Sequence, residues 1–109
     1  MKAVALITGA SSGLGVEFAR QLSKKGQRLV LAARRKDRLD ALATELGNAR
    51  AVAIDLSRPG AVRTLLDDLR NADEQVEILI NRRYSGIANL YSIHLLSVTP
   101  KRASAWANG

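Results

Sequence analysis

The chain contains no cysteine. Disulfides, thiolate metal sites and cysteine nucleophiles are therefore excluded, and a cytoplasmic location is permitted. Aromatic residues make up only 4% of it. They do not interleave with the basic residues as stacking platforms for nucleic acid would require, and no lysine-rich block stands in for them. Long apolar runs are missing too. The opening stretch "AVALI" gives way to Thr8 and Gly9, too short for a signal-peptide core or a bilayer span. Neither a nucleic-acid nor a membrane partner is expected. The last absence is of one sign of charge: all ten acids lie between Glu17 and Glu77, and none follows.

What remains is the composition of one globular domain. Its 109 residues are 47% hydrophobic and 25% charged, ordinary values for a soluble fold. The net charge is +7, which suits an anionic ligand. With no basic block present, counter-charge for a phosphate group is the economical reading.

Apolar runs alternate with helical stripes. "KAVALIT", "RLVLAA", "AVAIDL" and "VEILIN" have the continuous apolar character of strands buried on both faces. Between them, Leu14, Phe18 and Leu22 with Ala19 share one helical face, as do Leu39, Leu42, Ala43 and Leu46. Val62, Leu65, Leu66 and Leu69 repeat the pattern, with Ser57 as a candidate N-cap and Pro59 in the first turn. Strand and helix alternating at this spacing predict right-handed βαβ units and a parallel sheet.

The first strand and first helix are joined by "TGASSGLG". Gly9 allows a tight exit from the strand, Gly13 a close approach of backbone to a pyrophosphate, and Gly15 close packing of helix on sheet. A helix N-terminus adds free N–H groups and partial positive charge for phosphates, and Ser11 and Ser12 add hydroxyl donors. The alternative is a turn that uses glycine for geometry alone.

This loop resembles the TGxxxGxG motif of the short-chain dehydrogenases/reductases. Three further stretches agree with that family: "AARR" after the second strand, Asp55-Leu56 after the third, and "ILIN" at the fourth. The resemblance covers residues 1 to about 81 and implies an α/β fold with a Rossmann-type doubly wound parallel sheet, truncated here after about four strands. It implies an oxidoreductase that moves hydride between a nicotinamide cofactor and a carbonyl or alcohol carbon. The cofactor-binding positions it implies are Gly9, Ser11, Ser12, Gly13, Leu14, Gly15, Arg34, Arg35, Asp55, Leu56 and Asn81.

The second strand ends at Ala33, followed by Arg34 and Arg35 rather than a carboxylate. A guanidinium holds a 2′-phosphate through paired bonds, so NADP(H) is expected over NAD(H). Otherwise "RRKDR" is a solvated helix start, with Asp37 complementing the dipole. Asp55 either meets the adenine amino group, as the resemblance implies, or caps the following helix. Asn81 corresponds to the first asparagine of the family's NNAG motif, or simply ends a strand.

After Asn81 the likeness to the motifs stops. "NRRY" stands where the family has Asn-Asn-Ala-Gly. The family's Tyr-x-x-x-Lys pair, in which the tyrosine gives a proton to the substrate carbonyl and the lysine lowers its pKa, has no counterpart. Four residues beyond Tyr84 and Tyr91 stand Ala88 and Leu95. No catalytic residue is therefore assigned. Residues 1–81 read as a dinucleotide-binding half-domain and 82–109 as a divergent basic tail, out of frame or disordered. Loss of two bases from a codon for the second asparagine can turn Asn-Asn-Ala-Gly-Ile-Pro-Gly into Asn-Arg-Arg-Tyr-Ser-Gly. The rival is a genuine tail, in which Ile87, Leu90, Tyr91, Leu95 and Val98 share a helical face with His94. A fourth strand with a bare outer edge would invite self-association and poor solubility. A non-catalytic NADP(H)-binding or partner-pairing module is the alternative function.

Overall fold

A computed structural model describes residues 1–11, 13–84 and 89–95, with 82–84 and 89–95 as backbone. Its elements run β1 (Lys2–Thr8), α1 (Gly13–Lys24), β2 (Leu29–Ala33), α2 (Lys36–Leu46), β3 (Ala49–Ala53), α3 (Ala61–Asn71), β4 (Glu74–Tyr84) and β5 (Asn89–Leu95). The sheet order is β3-β2-β1-β4-β5. The first four strands are parallel, with Ile7 of β1 abreast of Leu31 of β2 and Ile80 of β4. This is the α/β, Rossmann-type sheet that the alternation of strands and helices predicts.

Burial on both faces explains the apolar strands. Ala5, Ile7, Leu29 and Leu31 face one layer, where they meet Ala19 of α1 and Leu39 and Leu42 of α2. Val4, Leu6, Val30 and Ala32 face the other, covered by Leu65 and Leu69 of α3. Each fully buried side chain of this size contributes about 1.5–3 kcal/mol. The helix caps follow the sequence in α2, where Gly47 closes the helix with its N–H on the Ala43 carbonyl.

Several expectations need correction. Of the proposed helical stripes, Leu14, Val62 and Leu66 are half exposed or more. Leu14 lies in the first turn of α1, at the rim of the sheet. In α3 the core is reached only by Ala61, Leu65 and Leu69, a narrow stripe at spacings of four. Ser57 is not the cap of α3. That helix starts four residues later, after Gly60 in a left-handed conformation. β3 stops at Ala53, so Ile54, Asp55 and Leu56 belong to the loop beyond it.

The largest correction concerns the junction. β4 runs through Asn81 to Tyr84, and β5 returns antiparallel beside it, pairing Asn81 with Ser92 and Tyr84 with Asn89. The outer edge of β4 is thus hydrogen-bonded rather than bare, and the segment holding Leu90, Tyr91, His94 and Leu95 is strand, not helix. The chemical reason is visible in β4 itself: an unpaired row of backbone groups is satisfied by any extended neighbour. Ile87 and Val98 lie outside the described residues. No described helix is long and apolar enough to cross a membrane.

Candidate functional site

α1 and α2 lie on one face of the sheet and α3 on the other, so the chain reverses direction about β1. The ends of the strands on either side of such a reversal spread apart into a crevice. Here a cleft of about 510 Å³ opens over the ends of β1, β2, β3 and β4. Gly9, Ser11, Arg34, Arg35, Asp55, Leu56 and Asn81 all line it. Four separate stretches of sequence therefore meet in one place.

The loop after β1 forms the floor. The Gly9 N–H donates to the Ala32 carbonyl at 2.8 Å, tying the loop to β2. Gly15 is buried in the first turn of α1, where an added Cβ would stand 2.5 Å from the Gly9 carbonyl oxygen. Any side chain there would push helix and loop apart. Gly13 differs: its φ is +60°, unfavourable for a residue with a Cβ, but an added Cβ would meet nothing within 4 Å. The backbone at Gly13 is thus open to a ligand's approach at the start of α1. Ser12 lies outside the described residues.

Thr8 donates its hydroxyl hydrogen to Asn81 Oδ1 at 2.7 Å, joining the ends of β1 and β4 at one wall of the cleft. The Thr8 role was not singled out from the sequence, although Thr8 opens the glycine motif. Ser57, expected as a helix cap, has a different part. Its backbone N–H and its hydroxyl both donate to Asp55 Oδ1, at 3.0 and 2.6 Å. Asp55 is therefore fixed by a local turn and does not cap α3. Those two bonds, then the charges of Arg34 and Arg58, hold the Asp55 carboxyl below the usual carboxylate range. An Asp two residues before a Ser is the signal that could have revealed this turn.

The two arginines after β2 diverge. Arg34 has no ion-pair partner among the described residues and lines the cleft. Arg35 is the N-cap residue of α2, and its Nε lies 3.5 Å from Asp37 Oδ1. Leu14 is 57% exposed and does not line the cleft. The cleft offers the loop after β1, the Arg34 guanidinium, an apolar wall from Ala32, Ala33, Ile54 and Leu56, and an anchored carboxylate. Such a set can hold an elongated ligand carrying phosphates and an aromatic base.

Comparison with known proteins agrees with this geometry. A family model described as short chain dehydrogenase matches residues 3–98. An uncharacterized oxidoreductase of Staphylococcus saprophyticus is 41% identical over 81 residues, covering 72% of this chain and 32% of that protein. Serine 3-dehydrogenase of Agrobacterium fabrum is 39% identical over 82 residues, covering 74% of this chain and 33% of its own length. Among solved structures, L-sorbose reductase of Gluconobacter frateurii, complexed with NADPH and L-sorbose, superposes with a TM-score of 0.70 at 34% identity. That match covers 77% of this chain and 34% of the reductase. The chain spans about a third of the length of these relatives.

Proposed function

Because this chain belongs to the short chain dehydrogenase family, we propose that its cleft binds NADP(H) as the cofactor half of an oxidoreductase. The residues present fit such a ligand. Gly13 leaves open the space that a pyrophosphate needs, and Gly15 lets the helix start come close beneath it. Ser11, in the cleft, and Ser12 add hydroxyl donors to the phosphates. Asp55 and Leu56 receive the adenine, one as acceptor for its amino group and the other as apolar contact. Asn81, held by Thr8, braces the end of β4 beside the nicotinamide ribose.

The observation that carries the reading is the meeting of the glycine loop with Arg34 in one cleft, at a β2 end that bears no carboxylate. A carboxylate there would accept from a ribose 2′-hydroxyl and favour NAD(H). A guanidinium instead pairs with a 2′-phosphate, and a charge-assisted bond of this kind contributes about 1.5–3 kcal/mol. The NADPH carried by the related L-sorbose reductase supports the same choice. When bound, the dinucleotide supplies or accepts hydride at its nicotinamide ring.

These 109 residues hold no Tyr-x-x-x-Lys pair, so no group is assigned to protonate a substrate carbonyl. A second reading rests on that observation: the chain binds NADP(H) without turnover, alone or beside a partner. Both readings share one test. Calorimetric titration with NADPH and NADH should give saturable binding, about ten- to a hundred-fold tighter for NADPH. Arg34→Ala should remove most of that difference while leaving NADH binding as it was. Equal affinity for the two dinucleotides would refute the NADP(H) assignment, and no binding of either would refute the cofactor site.

A further inference from the structure

A second, shallower recess opens beside the main cleft, with a volume of about 330 Å³, lined by Arg34, Ala53, Ile54, Asp55 and Arg58. Arg34 borders both spaces, whereas Arg58 borders the recess and not the main cleft. The two guanidiniums arrive from different loops, Arg34 from the one after β2 and Arg58 from the one after β3. Their convergence is therefore a product of the fold.

Arg58 is held in this position by its own turn. Its backbone N–H donates to the Asp55 carbonyl at 3.2 Å, and its Nε lies 3.8 Å from Asp55 Oδ2. Asp55 cannot swing away, because Oδ1 accepts both bonds from Ser57. The carboxylate thus orients Arg58 while neutralising only part of the local charge, leaving Arg34 and Arg58 against a single Asp55. Arg58 is 81% exposed, so four of its donors are free to meet an incoming anion. Arg35, the sequence neighbour of Arg34, is instead engaged at 3.5 Å by Asp37.

We infer that Arg58 is the second guanidinium of the 2′-phosphate subsite, acting with Arg34, and that Arg35 contributes little. A phosphate monoester carries nearly two negative charges at neutral pH. One arginine leaves such a group half compensated; two arginines from separate loops compensate it and also fix the distance between those loops. The inference rests on the NADP(H) reading above, and it adds a specificity residue on the β3 side of the adenine pocket.

The test uses the whole 109-residue chain with 2′,5′-ADP and 5′-AMP, which differ only in the 2′-phosphate. The unaltered protein should prefer 2′,5′-ADP by at least about ten-fold. Arg58→Ala should cut that preference roughly five-fold without changing 5′-AMP affinity, and Arg34→Ala should remove most of it. Arg58→Lys should recover part of the loss, because charge is kept while the paired donors are not. An Arg58→Ala protein that keeps the full preference, while Arg34→Ala loses it, overturns the inference and leaves the cofactor assignment intact. Equal weakening of both nucleotides by Arg58→Ala also overturns it, since that is the signature of a disturbed Asp55 turn. No preference in the unaltered protein, or no binding of either nucleotide, defeats the NADP(H) reading and this inference together.

Discussion

Gly13 and Gly15 sit two residues apart, yet their surroundings assign them different costs. At Gly15 a methyl group would collide with the Gly9 carbonyl at 2.5 Å, and backbone has no rotamer with which to escape. Gly15→Ala should therefore lower stability by about 1–3 kcal/mol, the usual cost of overpacking, read as an earlier urea midpoint. At Gly13 the space is open and the strain is conformational, about 1–2 kcal/mol for a left-handed residue with a Cβ. Gly13→Ala adds a further effect, because its methyl stands where the ligand approaches. Nucleotide affinity should fall in both variants, but only in Gly13→Ala by more than the stability loss accounts for. The charged residues make a pH prediction at the same scale. Asp55 has a depressed pKa, so its contribution to stability is complete above about pH 4 and is lost only as pH falls through the lower folded value. The ligand's 2′-phosphate, with a second pKa near 6, is the group that changes. The preference for NADPH over NADH should shrink between pH 7.5 and pH 5.5, while NADH affinity holds steady. A preference that is flat across that interval would mean the discrimination is steric rather than electrostatic.

At the scale of elements, the strands and helices from Lys2 to Asn71 were legible because each segment's apolar period agreed with its neighbours' and with the turn residues between them. The glycine loop was legible for the same reason: three glycines at that spacing have few other uses between a strand and a helix. Two things were not. One is the register of β4. The pairing of β1 with β4 shifts between Val4 and Ala5, so that Val76 lies beside Val4 but Ile78, not Glu77, lies beside Ala5. This bulge lets Val76 and Leu79 face α3 while Ile78 and Ile80 face the other layer. It also brings Asn81, rather than Ile80, level with Thr8 and so permits their hydrogen bond. No local pattern announces such an extra residue, which is set by the fit between layers. The other is β5, whose residues carry an equally good helical stripe. Its strand state is decided by the open edge of β4, a partner remote in sequence. Ending the chain after Tyr84 should therefore bare that edge. The shortened protein should sediment as larger species at concentrations where the full chain does not. Equal solubility of the two would show that the β4–β5 ladder does not protect the edge.

For the molecule as a whole, the question is what a third of a relative's length can do. The dinucleotide contacts proposed above come from the ends of β1, β2, β3 and β4, all within the first 81 residues, and these strands share one sheet with a core on each face. Both tyrosines lack the lysine four residues on that the family's proton donor has, and an unassisted phenol near pKa 10 is a poor acid or base at neutral pH. Placement of the cofactor alone lowers the entropic part of a hydride-transfer barrier, but leaves the developing alkoxide without a proton. Saturating NADPH with simple aldehydes and ketones should thus give no oxidation above the rate without protein, followed as loss of nicotinamide absorbance, under conditions where calorimetry shows the site filled. Turnover by this chain would require a proton donor outside the family's pattern. The residue to replace first would then be Tyr91, which the β4–β5 ladder sets across from Arg82, one place beyond Asn81. A Tyr91→Phe protein retaining that turnover would remove it as well. Absence of turnover with intact NADPH binding is the expected result, and it separates the cofactor half of this fold from the catalytic half by experiment.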